Sequence, residues 1–197
     1  MMDEAAMARN EGLARSFLEN AASDGNPFWL NHALFNIGYF RAPASRGHHL
    51  AEIGGLVAHS VNVTQRLVDL SVAWHVEWPR VESPYIVGML HDLVKCRCYR
   101  PVPKKDPGEV QTFEYVQPEF HGHGACSIAI AASLGIQLMR EEVAAIMFHM
   151  GPWGVGKEYT EAEFRAAMEA FPSCIVATHT ADWYAAAVDE RGGKDAD

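Results

Sequence analysis

Two polar side chains set in an apolar run constrain this chain more than any other feature. In GMLHDLVK (residues 88–95), His91 and Asp92 follow Met89 and Leu90 and precede Leu93 and Val94. A carboxylate in apolar surroundings is costly unless it is paired, hydrogen-bonded or bound to a metal. Either Asp92 faces water on an ordinary helix, or the fold sets something cationic against it. Ser83 and Pro84 supply an N-cap and an N1 proline, so the spacing predicts a helix over 83–96. Neighbouring residues on a helix are about 100° apart, which lets the two side chains converge on one point between this helix and another. Lys95 follows His91 by four residues and Asp92 by three, on the same side. It reads either as a surface lysine or as a cation beside the site, placed for an anionic substrate.

The rest of the chain is mostly helical by pattern. Amphipathic helices are expected over 3–22 and over 26–40, the second with Asn26 as N-cap and Pro27 at N1. Residues 41–55, rich in Gly, Pro and Ala, read as a loop. Residues 56–75 carry a wide apolar arc, the mark of a largely buried helix. Residues 99–118 hold four prolines, an Asp-Pro-Gly turn and the alternating EVQTFEYV, so a β-hairpin or extended flap is expected there. Helices follow over 124–135, with Gly135 just past its end, over 140–151, over 159–171 with a Thr160–Glu163 capping box, and over 172–190. Residues 191–197 read as a frayed tail. The expected fold is therefore all-α, a helical bundle with a short β insertion around 99–118. It forms one domain over 1–197, with no internal repeat and no linker.

Composition narrows the functional classes. The chain has 197 residues and a formal net charge of −9, which argues against nucleic acid or an anionic membrane held by a broad basic surface. No apolar run has the length of a membrane span, and the N-terminus has no signal-peptide pattern. Cys96, Cys98, Cys126 and Cys174 show no CxxC pair and read as reduced thiols of a cytoplasmic protein. The unusual count is histidine, at ten residues.

Position matters more than number. His59 lies in the apolar arc of 56–75, His123 opens the helix after the flap, His149 closes the helix over 140–151, and Asp182 stands among Ala, Trp and Tyr. Each alone has an ordinary reading, as a core histidine, a loop residue, a cation near a helix C-terminus or a solvent-facing aspartate. Together with His91 and Asp92 they come from five helical segments, and a bundle brings such faces to one centre. Four imidazoles and two carboxylates suffice for a two-metal site with one bridging carboxylate.

The pattern resembles the HD-domain superfamily of metal-dependent phosphohydrolases. It does so in the histidine of GGLVAHS (54–60), the doublet of GMLHDLVK and the aspartate of THTADWY (178–184). HGHGACS and IMFHMG add the two histidines of its binuclear branch. The matching motifs lie between about residue 50 and residue 188. The resemblance implies that His59, His91, Asp92 and Asp182 bind a first metal, that Asp92 bridges to a second, and that His123 and His149 complete that site. His123 is preferred over His121 because HGACS leads straight into the helix. It also implies an active phosphohydrolase in which a metal-activated hydroxide attacks the phosphoester of a nucleotide or other small phosphorylated metabolite. Asp92 and Lys95 would be catalytic, and Lys95 would contact phosphate. Two divalent transition metals are implied, Fe or Mn in the cell, with Zn or Ni common after purification. The chain departs from the nucleotide 5′-monophosphatases of the superfamily, which carry a glutamate at the position of Lys95. It also lacks the Gly-Tyr-Pro signature of the cyclic-dinucleotide branch.

Arg97, Arg100, Lys104 and Lys105 stand at the start of the flap, either as a solvated face or as cations that draw in an anionic substrate. His179 is expected beside the site rather than in it, and Trp153 and Lys157 at the pocket mouth. Two rival readings share the six ligands, a di-iron oxygenase and a metal-binding regulatory module. Oligomeric state is left open.

Overall fold

Asp3 accepts a hydrogen bond from the Ala6 N–H at 2.7 Å and so starts α1 (Glu4–Ala21), one residue inside the expected boundary. The computed structural model describes residues 2–22, 27–47, 50–106, 108–118 and 121–190. Asn26, Pro107 of the expected turn and the 191–197 tail lie outside the described residues. Helix α2 (Pro27–Asn36) stops short of the expected 26–40 because Gly38 adopts φ 83°, which an α-helix cannot continue. A 3₁₀ turn, Tyr39–Arg41, follows.

Helix α3 (Gly55–Ala73) buries an unbroken run from Gly55 to Val61, then Val63, Thr64 and Leu67. No single stripe explains that much burial. α1, α4 (Ser83–Leu90) and α9 (Pro172–Tyr184) surround it. Ser83 opens α4 but does not cap it. Its hydroxyl instead donates to Glu142 Oε1 at 2.7 Å, and Glu82 holds the N-cap position. Glu142 is fully buried near the start of α7 (Arg140–Met147). It also accepts Arg80 Nε and Nη2 at 2.8 Å each and the Met139 N–H at 2.8 Å. That carboxylate joins the starts of α4 and α7 and has its own cation.

Tight backbone approach fixes how α4 lies on α3. A Cβ on Gly88 would sit 2.7 Å from Thr64 Cα and 2.9 Å from Thr64 Cβ. Gly88→Ala is therefore expected to destabilise the protein by about 1–3 kcal/mol through overpacking, read as a lower urea midpoint with unchanged slope.

After a short α5 (Lys95–Cys98), β1 (Tyr99–Pro101) pairs antiparallel with β2 (Phe113–Tyr115), Tyr99 opposite Tyr115 and Arg100 opposite Glu114. This is the expected hairpin. Helix α6 (His123–Ser133) comes next, with Gly135 at φ 75° beyond its end, then α7, a 3₁₀ turn over Gly151–Gly154, and α8 (Glu161–Ala170), whose Thr160–Glu163 capping box forms. Helix α9 runs into a π-helical turn over Ala185–Asp189. One buried apolar cluster reaches from Ala14 in α1 to Ala185, so the fold is the all-α architecture with a small hairpin. Cys96, Cys98 and Cys174 are free thiols.

Candidate metal centre

The helix expected over 83–96 is interrupted at the His-Asp doublet. His91 Nδ1 lies 3.0 Å from Gly88 O, the carbonyl that would receive the Asp92 N–H in a continuing α-helix. The backbone then passes to i→i+3 bonds, Lys95 N–H to Asp92 O at 2.9 Å and Cys96 N–H to Leu93 O at 3.1 Å. So α4 ends at Leu90 and residues 91–94 form a turn. His149 repeats the arrangement. α7 ends at Met147, not 151, and His149 Nδ1 lies 2.7 Å from Ile146 O. The carbonyl of His149 in turn accepts His179 Nδ1 from α9 at 2.7 Å.

These partners assign the tautomers. A carbonyl oxygen only accepts, so Nδ1 of His91 and of His149 carries the proton, and the neutral ring keeps its lone pair on Nε2. His59, on α3, has Nδ1 2.8 Å from Glu190 Oε1, which likewise accepts. Three rings thus present Nε2 to the same region. His59 Nε2 is 3.1 Å from Asp182 Oδ1 and 3.6 Å from Asp92 Oδ2. His91 Nε2 is 3.3 Å from Asp92 Oδ2 and 3.9 Å from Asp182 Oδ1. His149 Nε2 is 3.8 Å from the other Asp92 oxygen, Oδ1. Lys95 Nζ is 2.6 Å from Asp92 Oδ2. The ligand atoms of His59, His91 and Asp182 lie within 4.8 Å of one another, an arrangement that can hold a metal ion.

The donor set fits such an ion. His91 Nε2 is fully buried and makes no hydrogen bond, which is costly for a ring nitrogen. Two carboxylates and three imidazole nitrogens suit a divalent transition metal. The two Asp92 oxygens face different imidazoles, the geometry a bridging carboxylate requires.

The charges are held by each other. Burial would raise both carboxylates, but Lys95 and His91 keep Asp92 well below the usual range, and the His59 hydrogen bond keeps Asp182 low. Burial would lower His59, yet hydrogen bonds to Asp182 and Glu190 push it up to about 9. Desolvation would also lower Lys95, and the Asp92 and Asp182 charges hold it above its ordinary value. His149 is pushed down, chiefly by burial. A cation held at this centre would take the place of the His59 proton.

His123 sits at the rim. Its imidazole is 39% exposed, its Nδ1 is 2.7 Å from Glu158 Oε1 and its N–H donates to Glu158 Oε2 at 3.0 Å. His121, the rejected alternative, is exposed. The Glu158 hydrogen bond raises His123 above 6.5. Burial works against ionisation of Glu158, but His123 brings it below 4.5. In metal-free protein the pair therefore stabilises the fold most between those two values. The contribution fades above neutrality as His123 loses its proton and in acid as Glu158 gains one. Solvent screening of the exposed ring keeps it to about 1 kcal/mol or less. Glu158→Gln should lower the urea midpoint at about pH 5.5 and leave it nearly unchanged at about pH 8.5.

Arg100 lies 3.7 Å from Glu114 across the hairpin, and Lys105 is exposed with its N–H on Glu109. Lys104 borders a cavity of about 690 Å³ between α1, the start of α3 and the flap, lined by none of the six ligand candidates. Arg97 borders a separate small cavity with Val94 and Val116. Trp153 is exposed and its ring lies 5.0 Å from that of His179, while Lys157 is exposed. Glu158 and Glu190 were not legible in the sequence, since each stands in a polar segment that reads as surface.

No family model, curated protein or solved structure matches this chain. The centre therefore stands on its own geometry. Among the described residues no helix is long and apolar enough to cross a membrane.

Proposed function

We propose that the chain is a metal-dependent phosphohydrolase of the HD-domain type, acting on a nucleotide or another small phosphorylated metabolite in the cytoplasm. The observation that carries this reading is the convergence of three tethered imidazoles on Asp92 and Asp182 beside the Lys95 ammonium. His59, His91, Asp92 and Asp182 would hold one divalent metal, and Asp92, His149 and His123 a second, with Fe or Mn favoured and Zn or Ni accepted. Bound metal of this kind supplies a Lewis acid and brings the pKa of water from 15.7 toward ~7. The chain supplies the rest. Gly88 O, Ile146 O and Glu190 fix the imidazole tautomers, and the buried walls shield Asp92 from bulk water. Lys95 holds its positive charge at the edge of the centre, where it meets the phosphoryl oxygens and the negative charge that grows on them.

Elemental analysis of the purified protein, followed by a phosphoester screen with Mn²⁺ under anaerobic conditions, tests the reading. Bound metal together with phosphate release is the expected result. Oxygen consumption by the iron-loaded protein without phosphate release would replace it with the oxygenase reading, and failure to bind any metal would remove both.

A further inference from the structure

Glu190 lies just beyond α9, in a segment that the sequence presents as the polar end of a helix. Its side chain is nonetheless 1% exposed. Oε1 is 2.8 Å from His59 Nδ1 and 3.3 Å from Asn62 Nδ2, both on α3. One residue earlier, Asp189 receives the Arg66 guanidinium in a bidentate pair, Nη2 to Oδ1 at 2.6 Å and Nε to Oδ2 at 2.9 Å. The same guanidinium lies 4.5 Å over the Tyr184 ring. His59, Asn62 and Arg66 are spaced i, i+3, i+7, so one face of α3 takes up the whole segment.

The π-helical turn makes this contact geometrically feasible. In a straight α-helix Glu190 would stand about 80° round from Asp182, eight residues earlier. Over 185–189 the chain instead winds more widely, closing with the Glu190 N–H on Ala185 O at 3.1 Å, an i→i+5 bond. A wider turn advances less per residue and swings Glu190 back toward the face that carries Asp182. Both carboxylates then grip one imidazole, Asp182 at Nε2 and Glu190 at Nδ1. Such π turns are rare and occur often at functional sites.

We propose that Glu190 is a positioning residue and that residues 185–190 form a latch on the metal centre. The Glu190 carboxylate accepts the His59 Nδ1–H and so keeps Nε2 turned toward Asp92 and Asp182, so that metal binding and docking of this segment onto α3 favour each other. The inference rests on the metal reading above only for its second half, because the hydrogen bond from His59 Nδ1–H to Glu190 is a property of the metal-free protein. By reciprocity, whatever the docked latch adds to metal affinity the metal adds to docking. Outer partners of this kind also make the coordinating nitrogen more basic, and their loss commonly costs about 10- to 100-fold in metal affinity.

The test uses the full chain, Mn²⁺ as probe and the variants Glu190→Ala, Glu190→Gln and Arg66→Ala. Mn²⁺ affinity is read from the paramagnetic resonance signal of the free ion, the His59 Nδ1–H hydrogen bond from imidazole ¹H and ¹⁵N shifts of metal-free protein, and latch docking from hydrogen exchange at residues 185–190. Glu190→Ala should bind Mn²⁺ about 10- to 100-fold more weakly and lose the hydrogen-bonded Nδ1–H signal of His59. Glu190→Gln keeps an oxygen acceptor and should recover most of both, which a merely structural role would not predict. Arg66→Ala touches no ligand and should speed exchange over 185–190 while weakening Mn²⁺ by about fivefold. Mn²⁺ should slow that exchange in the parent protein.

Parent-like Mn²⁺ affinity in Glu190→Ala would overturn the latch, as would an unchanged His59 Nδ1–H signal. A parent protein that binds no metal would overturn the coupling and, separately, the proposed function. The Nδ1–H result would still decide whether Glu190 positions His59.

Discussion

Asp92→Asn is expected to lose most of the bound metal and about 10²–10³-fold in phosphoester turnover. The two oxygens of Asp92 face two sets of imidazoles, Oδ2 toward His59 and His91 and Oδ1 toward His149. An amide keeps the shape but replaces one of these oxygens with a hydrogen-bond donor that repels a cation. The helices should persist, because the surrounding core is apolar and does not depend on the carboxylate. Elemental analysis, phosphate release and far-ultraviolet circular dichroism read the three quantities together. Parent-like metal content and turnover in this variant would sink the assignment.

The second prediction has two effects of opposite sign. Lys95→Met should bind metal more tightly than the parent and yet turn over about 10²-fold more slowly. The ammonium lies 2.6 Å from Asp92 Oδ2, so it competes with a metal for that oxygen, and the competition ends when the charge is removed. Slower turnover follows from the loss of the cation proposed to face the phosphoryl group. Without metal, Asp92 would be left buried with no ammonium beside it, at a cost of about 3 kcal/mol, and added Mn²⁺ should restore that stability. Thermal melts with and without Mn²⁺ check it. A smaller metal-induced rise in melting temperature than in the parent would contradict the competition.

Much of this was legible because it follows from pattern. The wide arc of 56–75, the prolines and alternation of 99–118 and the Thr160 capping box each produced the element they promised. The polar residues on apolar faces, His59, His91, Asp92, His149 and Asp182, came together for the same reason. Burying four helix faces in one bundle leaves their polar members nowhere else to go. What escaped depends on local competition that periodicity does not register. The end of α4 at Leu90 is set by a histidine ring taking a backbone carbonyl from the next amide. Ser83 looked like an N-cap, but the buried Glu142, 59 residues away in sequence, took its hydroxyl. Glu190 reaches His59 only through an i→i+5 turn, for which AAAVDE carries no distinct signal. The flap cations were grouped by their closeness in sequence, and in the structure they have different neighbours, Arg100 beside Glu114 and Lys104 and Arg97 on two separate cavities.

The positions of His91 and His149 at helix ends have one more consequence, which concerns the order of events. Helices α4 and α7 both finish at the centre, and a helix C-terminus carries about half a negative charge. Added to Asp92, Asp182 and Glu190, and set against Lys95 and the protonated His59, these ends leave the metal-free centre net negative, so that it repels anions. A phosphorylated substrate would meet that field before any donor. Binding should therefore be ordered, cation first and phosphate second, and phosphate analogues should show measurable affinity only for the metal-loaded protein.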